Sequence, residues 1–171
     1  MRPMAWDDLR LAPALNQLVG QMASRGILST ELSVEGETYE MPKHVEIAIF
    51  RVVQEALNNV AHHAETNTAR LRLLFTSEAL SVLIEDKGKG FDTEAEPEVP
   101  EADAVLEEDE SMSAGQFGLL GMKERAKLIG AEISVVSQPG KGTRVHWRVP
   151  RRQTIADGKN VQIINTVKQE R

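Results

Sequence analysis

Cysteine is absent from the 171 residues, which removes disulfide frameworks, thiolate metal sites and cysteine nucleophiles together. No stretch approaches the roughly 20 consecutive apolar residues of a membrane-spanning helix. The start, MRPMAWDDLR, lacks the apolar core of a secretory signal. Broad positive charge is missing too: the formal net charge is −6 and the sequence pI about 5.3, so the chain lacks the basic footprint of a nucleic-acid binder. Between Lys89 and Lys123 there is no Lys or Arg at all, while ten acids fall between Asp92 and Glu110. What remains, 41% apolar and 27% charged residues, suits one soluble domain, or one domain with tails, able to bury a core without staples.

Hydrophobic periodicity predicts an amphipathic helix from Trp6 to Ser24 and a short strand at Leu32–Val34, with Gly36 as the following turn. A longer helix is expected from His44 to Ala64, with Ile47, Phe50, Val53, Leu57, Val60 and Ala64 as its core stripe. At about 100° per residue, Glu55, Asn59 and His62 fall roughly opposite that stripe. Strands at Ala69–Phe75 and Leu80–Glu85, joined through Ser77-Glu78-Ala79, read as a hairpin. Another helical stripe follows at Leu119, Met122, Ala126 and Ile129, ended by Gly130. Strands at Ala131–Ser137 and Thr143–Val149 come next, turning at Gln138-Pro139-Gly140-Lys141-Gly142. The sum is a two-layer α/β sandwich with a mostly antiparallel sheet. The acid-rich 92–114 segment, with Pro97 and Pro100, has too little apolar surface to offset the entropy of ordering and is expected to be a mobile surface loop, either a linker or a lid. The 151–171 tail is polar apart from Val161–Val167.

Three segments carry chemistry. Asp86-Lys87-Gly88-Lys89-Gly90 follows a strand: a carboxylate there accepts from an exocyclic amine, and Gly88 and Gly90 admit a flat ring, though an ordinary turn has the same composition. Gly115-Gln116-Phe117-Gly118-Leu119-Leu120-Gly121 runs into a helix, whose free N–H groups and dipole suit phosphate. It is neither a P-loop nor a dinucleotide fingerprint, and a flexible hinge fits it equally. Glu55 and Asn59 stand one helical turn apart, an acid able to orient a nucleophile and an amide oxygen suited to Mg²⁺; a solvated polar pair has the same spacing. His62 and His63 can donate to phosphate, and without cysteine or acids at ligand spacing they do not make a zinc site.

Their order is more specific than any member. QEALNNVAHHA (54–64), EDKGKGFD (85–92), GQFGLLGMKERA (115–126) and GKGTRV (140–145) resemble the N, G1, G2 and final glycine boxes of the catalytic ATP-binding domain of bacterial sensor histidine kinases, with wording similar to the nitrate-sensor-like and thermosensor-like subfamily. The resemblance covers about residues 1–150 and implies a Bergerat-type fold with helices on one face of the sheet. It implies ATP and Mg²⁺ as ligands: Asp86 accepting from the adenine amino group, Thr143 supporting through water, and Gly88 and Gly90 lining the ring. Asn59 would hold the metal, with Glu55 as the catalytic acidic position beside it. Gly118, Leu119, Leu120 and Gly121 would wrap the phosphates, His62 and His63 would lie near them, and 92–114 would be the ATP lid.

Three departures stand out. His62 occupies a place where the family usually has Arg, and Lys87 stands where Asn is common. None of His44, His62, His63 and His146 opens the His-acid motif of a phospho-acceptor helix. The expectation is therefore a kinase fragment: 1–26 leading from a missing dimerisation hairpin, 27–150 the catalytic domain, and 151–171 a tail. Its partners would be the parent's own dimerisation domain and a response regulator, within a homodimer. Its location would be cytoplasmic, the parent being open to membrane anchoring. Isolated, it would bind nucleotide without appreciable autophosphorylation. Alternatives are a serine kinase of the anti-sigma-factor type and a non-catalytic nucleotide-sensing interaction domain.

Overall fold

The structure, a computed structural model, describes residues 10–93 and 110–151, with side chains described from residue 118 onward in the second stretch. Helix α1 (Leu11–Ser24) opens with Pro13 in its first turn, where a missing N–H costs nothing. It buries Leu11, Ala14, Leu15, Val19 and Met22. Strand β1 (Ser29–Glu35) extends the expected Leu32–Val34 at both ends. Helix α2 (Lys43–His63) starts directly after Pro42 and carries Glu46 in its first turn and His62 and His63 in its last, charges placed with the helix dipole where ionised.

Strands β2 (Thr68–Phe75) and β3 (Ala79–Asp86) form the expected hairpin. The Thr76 hydroxyl accepts from the N–H groups of Glu78 and Ala79 at 3.3 and 3.1 Å, tying the turn locally. Helix α3 (Glu110–Ile129) ends at Gly130, whose φ of +67° is the left-handed C′ conformation that glycine adopts freely. Strands β4 (Glu132–Gln138) and β5 (Gly142–Pro150) complete a five-stranded sheet ordered β1-β2-β3-β5-β4. The β1–β2 pair is parallel and all others antiparallel. The strict alternation along β2 buries Ala69, Leu71, Leu73 and Phe75 and exposes Thr68, Arg70, Arg72 and Leu74, the signature of a sheet covered on one face.

One apolar cluster joins α1, α2, α3 and the covered sheet face, with Trp147, Leu57, Leu71 and Leu15 almost fully buried. The uncovered face carries Glu31–Arg70, Glu35–Arg72 and Glu85–Arg144 ion pairs.

Two expectations change. On α2, Ile47 is 44% exposed, and the buried set is Val45, Glu46, Ile49, Phe50, Val52, Val53, Ala56, Leu57 and Val60. The helix is packed by α1 and α3 as well as the sheet, so its buried arc is wider than a single stripe. Residues 110–121, read as the end of a lid and a glycine loop, are helical throughout in α3; the remainder of the proposed lid, 94–109, lies outside the described residues, as do 1–9 and 152–171. Among the described residues no helix is long and apolar enough to cross a membrane.

Candidate nucleotide-binding site

The inward phase of three strands turns polar at one end of the sheet. On β3, Val82 and Ile84 lead to Asp86; on β5, Val149, Trp147 and Val145 lead to Thr143; on β4, Ile133 and Val135 lead to Ser137. Registration places Asp86 opposite Thr143 and Thr143 opposite Ser137, so these three side chains share one row on the core-facing side. Ala69, small and buried, is Asp86's other neighbour, and Thr30 beyond it has a buried hydroxyl with no hydrogen-bond partner among the described residues.

Asp86 is 9% exposed. Its Oδ1 accepts from the Gly88 N–H at 2.8 Å, and the Thr143 backbone N–H also donates to the carboxylate. Burial pushes its carboxyl above the ordinary aspartate value, while those two N–H groups pull it back. The carboxylate is thus held in place with acceptor capacity to spare, as recognition of an amine needs.

The Asp86–Phe91 turn is clamped from two sides. Lys89 N–H donates to the Ala64 carbonyl at the end of α2 at 2.7 Å, and Gly140 N–H donates to the Lys89 carbonyl at 2.6 Å. Lys89 Nζ meets Glu65 at 3.0 Å, and Phe91 N–H donates to Ser137 Oγ at 2.9 Å. A side chain at Gly88 would collide with the Ala64 carbonyl and one at Gly90 with the Gln138 carbonyl; Gly90 also has a φ of +61°. Both glycines are therefore required by the turn's own packing, apart from any ligand.

Glu55 and Asn59 are half-buried beneath α3. A Cβ built on Gly118 would stand 2.8 Å from Glu55 Oε1 and 3.1 Å from Asn59 Nδ2, so the absent side chain is what lets α3 approach this pair. Leu119 packs on the core, Leu120 is 54% exposed, and Gly121 faces Arg125. The structure thus gathers Glu55, Asn59 and Gly118 in one place, and Asp86, Gly88, Gly90 and Thr143 in another, both on the α2 side of the sheet. His62 is exposed on the same side of α2 as Glu55 and Asn59, and its Nδ1–H donates to the Asn58 carbonyl at 2.8 Å. His63 is half-buried, its ring 6.2 Å from that of His62. Lys87 is exposed.

Ser137 and the Lys89–Glu65 pair escape a reading of motifs alone. Ser137 carried a usable signal, a polar residue on the inward phase of an otherwise apolar strand and six residues before Thr143. The ion pair carried none, because Glu65 and Lys89 are far apart in sequence. A separate cavity of about 310 Å³, lined by Arg10, Tyr39, Met41, Glu46 and Phe75 among others, lies at the opposite end of the sheet and shares no residue with this site.

Among known proteins, residues 44–153 match the family model described as histidine kinase-, DNA gyrase B-, and HSP90-like ATPase. The chain is 33% identical over 150 residues to the signal transduction histidine-protein kinase/phosphatase DegS of Brevibacillus brevis, covering 88% of this chain and 35% of that protein. It is 34% identical over 152 residues to DegS of Bacillus subtilis, covering 87% and 36%. It therefore spans about a third of the length of these curated relatives. In fold it is similar to the histidine kinase domain of the Erythrobacter litoralis EL346 blue-light activated histidine kinase, with a TM-score of 0.56 at 22% identity, covering 83% of this chain and 65% of that one. The Acinetobacter baumannii histidine kinase AdeS gives 0.59 at 14% identity with the same coverages. With the Asp86–Thr143–Ser137 row and the Glu55–Asn59–Gly118 cluster on the helix-covered side of a five-stranded sheet, the chain belongs to the histidine kinase-, DNA gyrase B- and HSP90-like ATPase family, as an ATP-binding domain of that kind.

Proposed function

We propose that the chain binds Mg²⁺–ATP and acts as the catalytic ATP-binding unit of a two-component sensor histidine kinase. The carrying observation is the registered pair Asp86 and Thr143, a buried carboxylate and a hydroxyl side by side beneath the Gly88–Gly90 turn. The adenine amino group donates to Asp86, and the glycines let the ring lie against the backbone.

Asn59 supplies an amide oxygen for Mg²⁺, with Glu55 one turn away. Hard oxygen donors in small number suit this ion, which completes its shell with water and phosphate oxygens. The metal would neutralise phosphate charge. Glu55 orients the accepting imidazole or takes the proton from its other ring nitrogen, and the Gly118–Gly121 stretch, helical within α3, would offer its N–H groups to phosphate once that part of the helix unwinds. The reaction is attack of a histidine nitrogen on the γ-phosphorus with ADP leaving, the acceptor lying on a dimerisation domain of a homodimeric parent and passing its phosphate to a response regulator. The nitrate-sensor-like or thermosensor-like subfamily and a cytoplasmic location belong to the same proposal.

Calorimetric titration with a non-hydrolysable ATP analogue, with and without Mg²⁺, tests it. Saturable binding is expected, weakened at least about tenfold by Asp86→Asn, whereas Asn59→Ala should lose the Mg²⁺-dependent increment and keep the rest. A folded sample that takes up no nucleotide at millimolar concentration overturns the proposal.

A further inference from the structure

We infer that Ser137 is a positioning residue for base selection: it fixes the Thr143 hydroxyl as a hydrogen-bond acceptor, so that the site takes 6-amino purines and disfavours 6-oxo purines. The inference rests on the adenine reading of Asp86 and Thr143.

Ser137 is 4% exposed, and its Oγ has three partners: the Phe91 N–H at 2.9 Å, the Gly142 carbonyl at 3.1 Å and Thr143 Oγ1 at 2.9 Å. A hydroxyl owns one proton and two lone pairs. The Phe91 N–H can only donate, which occupies one lone pair. The Gly142 carbonyl can only accept, which takes the proton. One lone pair remains, so satisfying all three contacts requires Thr143 to donate its own proton to Ser137. Thr143 Oγ1 is then left with lone pairs alone. Asp86, beside it in the row, is likewise an acceptor. Two acceptors side by side call for a donor from the base, and an amino group in direct contact supplies it. A carbonyl oxygen at the same ring position faces acceptors with no proton between them, the arrangement that discriminates most strongly at a buried site.

Ser137 also joins the two glycine-rich segments through Phe91 and Gly142, so a purely structural role has to be separated from selection. ADP and IDP, which differ in amino against oxo at this ring position, are titrated into the 171-residue chain, with thermal melts of every variant. Wild type should prefer ADP. Ser137→Ala frees the Thr143 hydroxyl to rotate and donate to the oxo group, so the ADP/IDP preference should narrow by about fivefold. In a Thr143→Val background Ser137→Ala should leave the preference unchanged, because the effect runs through that hydroxyl. Should Ser137→Ala fail to fold, Ser137→Cys keeps the size with a weak hydrogen-bonding group and is expected to narrow the preference in the same direction. Equal losses of ADP and IDP binding, with the preference retained in a folded variant, overturn the inference while leaving the adenine site standing. A wild type that does not prefer ADP, or an Asp86→Asn variant that keeps the full preference, overturns the adenine reading itself.

Discussion

Asp86 has to be buried and ionised at once. Burial raises its carboxyl above the usual 3.8, and the N–H groups of Gly88 and Thr143 only partly offset this. Between the ordinary and the raised value the folded chain binds more protons than the unfolded one, so Asp86 lowers stability as pH rises through that window; the deficit is absent below 3.8 and complete above the raised value. Ligand binding runs the other way, since a protonated carboxyl is a poorer acceptor for an amine. ADP affinity is therefore expected to fall on acidification at a pH above 3.8, with the wild-type to Asp86→Asn affinity ratio collapsing towards one. Taking that ratio cancels the titration of the nucleotide's own phosphates. A ratio independent of pH across the acid range would remove Asp86 from amine recognition. Asp86 was legible in the sequence because a strand-end carboxylate before two glycines is a local pattern. The Ser137 network is built across strands, and no local pattern displays it.

At the scale of elements, α3 shows how glycine serves two purposes. A glycine inside a helix costs about 1 kcal/mol relative to alanine, yet Gly118 lets α3 meet Glu55 and Asn59. The group that an added methyl meets at 2.8 Å is the free end of the Glu55 side chain, which can move. Gly118→Ala should therefore leave the melting temperature unchanged or raise it by a few degrees, while lowering ATP-analogue affinity if the 118–121 stretch wraps phosphate. Loss of stability with unchanged affinity would contradict both halves. Gly88→Ala should behave oppositely: its neighbour is the Ala64 backbone carbonyl, which cannot step aside, and a destabilisation of about 2 kcal/mol or more in denaturant unfolding is expected. The glycine segment read as a loop is helical here because helix boundaries are the part of a sequence pattern least constrained by local composition. The widened buried arc of α2 has a different cause, the packing of α1 and α3 on either side of the helix that carries the site.

For the whole molecule, one core ties the site to its support. Trp147, 1% exposed in the same strand as Thr143, packs with α2 and α3 residues in the single apolar cluster. Trp147→Ala should cost about 3–5 kcal/mol by chemical denaturation. Glu85→Gln, which breaks the ion pair with the exposed Arg144 on the uncovered face, should cost about 1 kcal/mol or less. A reversal of that ranking would mean that the sheet face, rather than the core, governs stability.

Element types, their order and the four boxes, three of them marked by glycine, were determined by the sequence itself, because periodicity, turn residues and short motifs act over a few neighbouring residues. Only the tertiary structure decided that β1 lies parallel to β2, that the site row runs Asp86–Thr143–Ser137, and that Gly118 meets Glu55 and Asn59. It also decided that Lys89 is anchored to Glu65. Each of these depends on strand register or helix docking, where residues remote in sequence are brought within hydrogen-bonding distance. Such placement follows from the whole core packing at once, and no window of the chain contains it.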